Sequence, residues 1–178
     1  MTKNVAGGRQ LEWELDYYRS LFENGCAGHY RQLCGEAFNW ISNHLPNEHH
    51  IALCWGDARP GNMMFRDWSC VAVLDWEMAS LGAPEKDLAW WLFLDRFYHE
   101  GLGIQRMAGW PSHEETIAQY QQWLGRSLDD LGFYSVFAGF RSLIIYARFV
   151  ALGLQPLLPE DVFPGSRMLR RMLDEVHA

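Results

Sequence analysis

Lysine is almost missing from this 178-residue chain. Fifteen basic residues stand against 22 acidic ones, and only Lys3 and Lys86 are lysines, which leaves 13 arginines. The net charge of −7 argues against a nucleic-acid backbone as main partner, because neutralising phosphates needs a basic face. Cysteine is sparse too: Cys26, Cys34, Cys54 and Cys70 include no C-x-x-C pair. That spacing suits neither a zinc site nor a disulfide scaffold, and it predicts reduced, buried thiols in a cytoplasmic protein. No charge-free apolar run of about 20 residues exists, so no membrane span is expected. The most apolar stretch, Val136 to Leu154, carries Arg141 and Arg148. The opening MTKNVAGGRQLEWELD has neither an apolar core nor a cleavage pattern, so no secretory leader is expected.

Apolar residues are plentiful. They make up 49% of the chain, with nine tryptophans, which excludes a disordered protein. A chain of this length buries about 68–70% of its unfolded surface, and residues 1–178 read as one domain behind a mobile tail at 1–8.

Hydrophobic spacing predicts helices over Arg9–Glu23 (Leu11, Leu15, Tyr18, Phe22) and His29–Leu45 (Tyr30, Leu33, Cys34, Ala37, Phe38, Ile41), the second stopped by Pro46. Short β-prone runs follow at Ile51–Trp55, Asn62–Phe65 and Cys70–Leu74 and predict one small hairpin-like sheet. Pro84 and Glu85 open a helix to about Tyr98 whose LAWWLFL segment is apolar nearly all round, so Ala89–Phe93 should be core. Residues 101–111 read as a loop, and Ser112 with Glu115 forms a capping box for a helix to about Leu124. A long helix over Asp130–Ala151 and an amphipathic one through Met168, Leu169, Met172, Leu173 and Val176 complete an α+β, mainly helical chain.

The chemistry lies between residues 54 and 88. Asp57 sits in a tight turn, Asn62 follows five residues later, and Asp75 stands thirteen beyond at the end of the VAVL strand. A loop carboxylate, an amide and a strand-end carboxylate that converge on one point offer the oxygens that Mg²⁺ takes alongside waters and phosphates. Asp57 would then be left to orient a hydroxyl or accept its proton. The pair His49-His50 reads as a solvated loop and not a metal site, since adjacent residues do not share a face.

These residues resemble a known family. GDARPGN at 56–62, VLDWE at 73–77 and GAPEKDL at 82–88 are similar to the motifs of the aminoglycoside phosphotransferase/choline kinase-like group, which has a protein-kinase-like fold. The resemblance implies the C-terminal lobe of such an enzyme, with the sheet carrying the catalytic and metal loops. It implies Asp57 as the catalytic aspartate, Asn62 and Asp75 as ligands of Mg²⁺ or Mn²⁺, and ATP as phosphoryl donor. Arg59, Asn62 and Asp75 would face the nucleotide phosphates, although Arg59 could equally form a structural ion pair. Glu77 is open between a metal or substrate contact and an exposed role. Asp87 matches a structural aspartate that holds the loop through backbone N–H groups. Trp55 stands where the family usually has His, and Ala83 where it often has Asp.

The family's N-terminal lobe covers ATP and supplies a strand-borne lysine. Neither Lys3 nor Lys86 lies in such a strand, and Gly101-Leu102-Gly103 has no strand before it, so that lobe is expected to be absent. The expected function is phosphoryl transfer to a small hydroxylated molecule, inactive without the missing lobe. Residues 96–130 and the 130–151 helix would line the acceptor pocket, and the uncovered surface could self-associate. The competing reading is a non-catalytic, pseudokinase-like binding module.

Overall fold

The computed structural model describes residues 10–25, 30–47 and 50–177, so the expectations for the 1–8 tail, Lys3, Cys26 and His49 lie outside the described residues. Two helices come first, α1 (Gln10–Gly25) and α2 (Tyr30–Asn43). Tyr30, Leu33, Cys34, Ala37 and Ile41 are buried, so α2 turns inward the face its apolar spacing defines. Four short strands follow: β1 (Ala52–Cys54), β2 (Met63–Arg66), β3 (Ser69–Val73) and β4 (Ser80–Gly82). Then come α3 (Glu85–Arg96), α4 (His113–Leu124), α5 (Leu131–Ala151) and α6 (Pro164–His177).

The core is built around α5, against which α1, α2, α3 and α6 all pack. Its Phe137, Phe140, Leu143 and Ile144 are fully buried, each contributing about 1.5–3 kcal/mol by leaving water. By length and hydropathy α5 could also cross a membrane, but most of it is enclosed by the other helices. On α6, Met168, Leu169, Met172 and Leu173 face α5 as their spacing predicts, whereas Val176 is 37% exposed. The Ser112 hydroxyl accepts the Glu115 N–H at 3.1 Å and the Glu115 carboxylate accepts the Ser112 N–H at 2.8 Å, so the predicted capping box starts α4.

The sheet differs from expectation. There are two separate antiparallel pairs among the described residues and not one hairpin-like sheet. β2 pairs with β3 through an Asp67-Trp68 turn with both residues at positive φ, as a tight hairpin requires. β1 pairs instead with β4, Cys54 opposite Ser80 and Ala52 opposite Gly82. β4 has only three residues and no alternation of its own, and it is extended because β1 supplies its ladder. The α3 helix also continues as a π-helical turn over Phe97–Gly101 before the 102–111 loop begins.

Candidate active site

The pairing of β1 with β4 brings the turn after β1 against the segment before β4. Gly56 stands at the contact. Its φ is +87°, and a Cβ there would meet the Met78 carbonyl oxygen at 2.2 Å, so only glycine fits. The turn is held from below by Asp87 in the first turn of α3. Its two carboxylate oxygens accept the Trp55 N–H at 2.6 Å and the Gly56 N–H at 2.8 Å. The Trp55 indole N–H donates to the Leu74 carbonyl at 2.7 Å, tying the turn to the end of β3 beside Asp75. The residue at the usual histidine position thus anchors the loop by a long-range hydrogen bond of its own.

Asp57 receives three side-chain donors. Trp90 Nε1 donates to Oδ1 at 2.8 Å, and Arg59 Nε and Asn62 Nδ2 donate to Oδ2 at 2.8 and 2.7 Å. Partial burial pushes the Asp57 carboxyl up, but the bonds from Trp90, Arg59 and Asn62 and the Arg59 charge outweigh it, and the net shift is downward. A carboxylate so held stays ionised, with one lone pair of Oδ1 still open to a hydroxyl.

Asn62 is buried at 6% exposure. Its amide nitrogen is fully used, donating to the Asp57 carbonyl at 3.1 Å as well as to Oδ2. The amide oxygen makes no hydrogen bond within the described residues, as a ligand oxygen requires. Asp75 has the same character: it is exposed, its φ is +61°, and its carboxylate makes no ion pair or hydrogen bond among the described residues. The two segments are joined where the Leu74 N–H donates to the Asn62 carbonyl at 2.8 Å. Two oxygen donors without protein partners fit a Mg²⁺ or Mn²⁺ that keeps waters and phosphates as its other ligands. No cluster of three or more His, Cys, Asp or Glu side chains stands ready for a metal among the described residues.

Arg59 forms the ion pair with Asp57 and retains further donors on its partly exposed guanidinium. Glu77 is exposed, and so is His50. Lys86 is buried, bonded to Glu14 of α1 at 2.5 Å and to the Ser80 hydroxyl at 2.8 Å, so its ammonium fastens α3 to α1 and β4.

Two residues beyond the sequence candidates complete the site. Trp90 is buried, as expected of a core residue, but it is also a donor to Asp57. Arg141 of α5 is 4% exposed and lies 4.1 Å from the centre of the Trp90 indole, with one Nη bonded to the Met78 sulfur at 3.1 Å. Both carried a signal: an indole N–H and a guanidinium inside otherwise apolar helices each need a partner.

A helical body thus carries two small sheets and a carboxylate loop clamped from below by α3. Residues 6–131 match the phosphotransferase enzyme family (APH), and the chain belongs to it. Acyl-CoA dehydrogenase family member 11 of Pongo abelii is 32% identical over 113 residues, covering 57% of this chain and 14% of that protein. Acyl-CoA dehydrogenase family member 10 of Mus musculus is 33% identical over 113 residues, covering 57% and 10%. The chain therefore spans a small part of these relatives. Its fold matches a crystal structure from Ralstonia eutropha JMP134, provisionally described as an aminoglycoside phosphotransferase, with a TM-score of 0.74. That match has 20% identity and covers 94% of this chain and 56% of the other.

Proposed function

We propose that residues 1–178 are one domain, the protein-kinase-like C-terminal lobe of an ATP-dependent phosphotransferase that phosphorylates a hydroxyl of a small molecule. The observation that carries this reading is the Asp57 carboxylate, kept ionised by Trp90, Arg59 and Asn62 with part of Oδ1 unspent. The acceptor hydroxyl bonds Oδ1 and is aimed at the γ-phosphorus. As the new O–P bond forms and the bond from γ-phosphorus to its leaving oxygen breaks, the hydroxyl proton passes to Asp57. Arg59 places its remaining donors on phosphoryl oxygens. Asn62 Oδ1 and Asp75 would hold a divalent ion, whose charge would offset that of the phosphate oxygens.

The acceptor enters a recess of about 270 Å³ whose walls include Trp13, Glu14, Tyr17, Glu77 and Met78. It adjoins the loop because Met78 packs on Gly56. Arg96, His113 and Ile117 line a different cavity with the first turns of α5, whereas Tyr98 and Arg141 stand beside the Asp57 site. A second lobe bringing a nucleotide lysine covers the exposed Leu53, Phe65, Trp76 and Leu81, and where it is missing that face self-associates. Buried Cys34 and Cys54 fit a reducing, cytoplasmic setting, whereas Cys70 is exposed, against the expectation of buried thiols.

The test assays the chain, alone and joined to an N-terminal nucleotide lobe, with Mg-ATP and a panel of hydroxylated small molecules. Asp57→Asn should lower kcat by about a thousandfold with little change in acceptor KM, because its carboxylate acts mainly in the transition state. On the chain alone, Mn²⁺ should broaden the resonances of Asn62 and its neighbours, and Asp75→Asn should abolish that broadening. Unchanged turnover in Asp57→Asn refutes the catalytic role, and Mg-ATP binding without turnover in the two-lobe protein leaves the pseudokinase-like reading.

A further inference from the structure

On another face of α3 from Trp90, a cavity of about 310 Å³ lies between α3, α4, α5 and α6. Its size matches the small end of ligand cavities, about 300–1,000 Å³. Phe93, Ile117, Val136 and Met172 give it apolar walls, and Arg96 and His113 stand at its polar end. That end is built from the protein interior outward. Asp95, 7% exposed, accepts the Trp110 indole N–H at 2.9 Å, His113 Nε2 at 2.6 Å and an Arg106 Nη, with His99 Nε2 at 3.4 Å. Arg96 Nε donates to His113 Nδ1 at 3.2 Å. An arginine Nε–H only donates, so His113 Nδ1 is the acceptor and its Nε2 carries the proton given to Asp95.

The chain Asp95–His113–Arg96 therefore fixes the guanidinium by its Nε alone. Both Nη groups make no hydrogen bond or ion pair within the described residues. Two carboxylates stand at the rim, and each is already engaged. Glu114 is held below the usual carboxylate range first by its own backbone N–H and then by Ser112, with smaller contributions from the His113 and Arg96 charges, and Glu175 pairs with Arg171 at 3.6 Å. The two Arg96 Nη groups are left as the cavity's unspent donors, and a guanidinium fork is the natural partner of a carboxylate.

We propose that this cavity is a second ligand site, separate from the Asp57 site, that binds a small monocarboxylate bearing an apolar tail. The carboxylate pairs with the two Nη groups of Arg96, and the tail lies along Phe93, Ile117, Val136 and Met172. The proposal does not depend on the catalytic reading of Asp57.

The test titrates the purified chain with octanoate, and with octan-1-ol as a neutral probe of equal length. The readouts are calorimetry and the methyl NMR signals of Ile117, Val136 and Met172. Octanoate should bind one-to-one, move those methyls, and bind about tenfold tighter than octan-1-ol, the scale of a charge-assisted bidentate contact. Arg96→Met should erase that preference, and Arg96→Lys should recover only part of it. No saturable octanoate binding, equal affinity for the two probes, or undiminished octanoate binding by a folded Arg96→Met variant would each overturn the site. If Arg96→Met does not fold, the comparison of the two probes on the unmodified chain decides by itself.

Discussion

The Trp90 indole N–H meets Asp57 Oδ1 at 2.8 Å, three residues along α3 from the Asp87 carboxylate that grips the Trp55 and Gly56 N–H groups. One helix thus sets both the backbone of the loop and the orientation of its carboxylate. The Arg141 guanidinium over the indole ring makes the N–H a stronger donor, since a cation on the ring face draws electron density from it.

Trp90→Phe should raise the Asp57 pKa, because the indole N–H bond that the variant loses favours the charged carboxylate. The folded-state pKa of Asp57 is depressed, so its contribution to stability is present above the unfolded value and is lost as pH falls through the folded one. In Trp90→Phe that contribution should be smaller and its loss complete at a higher pH. A carbon-13 titration of the Asp57 carboxyl reads the shift, and an Asp57 that titrates no higher in the variant would remove Trp90 from its role.

Asp87→Ala leaves two N–H groups in a partly buried turn without acceptors. The expected cost is roughly 3 kcal/mol, seen as a lower urea midpoint with an unchanged slope. Asp87→Asn should lose less, since its amide oxygen still accepts one of the two bonds. Equal stability of all three proteins would contradict the clamp.

Gly56 and Gly61 flank Asp57 and differ in what a methyl group meets. At Gly56 it strikes the Met78 carbonyl, whereas at Gly61 the nearest atom is Arg59 Nη1 at an ordinary 3.5 Å. Thermal denaturation should therefore show Gly56→Ala strongly destabilised, by several kcal/mol, and Gly61→Ala within about 1 kcal/mol of the parent. The reverse order would mean that the turn does not pack on Met78 in solution.

Alkaline pH should unfold the chain over a defined window. Burial pushes the Tyr120 and Tyr30 hydroxyls up to about 12, and Tyr120 donates to the Pro84 carbonyl at 3.0 Å. A folded pKa above the unfolded value near 10 gives stability that is complete below pH 10 and declines as pH rises toward 12. Denaturant melts at pH 9 to 12 check this, and Tyr120→Phe should flatten the decline.

Each helix was legible wherever its apolar spacing outlasted two turns, as in α2 and α6, and the Ser112 to Glu115 box marked a start directly. The loop was legible because Gly56, Asp57, Asn62 and Asp75 lie close in sequence and turn chemistry is local. β4 was not legible. Ser80-Leu81-Gly82 has no pattern of its own and becomes a strand only because Cys54 and Ala52 lie opposite. Residues 96–130 divide between two places: Arg96, His113 and Ile117 line a cavity that includes none of the residues bonded to Asp57, whereas Tyr98 interacts with Arg59.

The sequence by itself determined which segments are helical, which loop carries the carboxylates, and the family those spacings resemble. These properties depend on neighbours within about a turn, where propensity and periodicity act. Only the tertiary structure decided which groups partner which. Asp57 takes its third donor from Trp90, 33 residues away, and Lys86 spends its charge on Glu14, 72 residues back. The Asn62 amide commits its nitrogen to Asp57 and so leaves its oxygen without a hydrogen bond among the described residues. Burial forces each of these polar groups to find a bond, and the packing of α1, α3 and α5 around the loop fixes which bond is within reach.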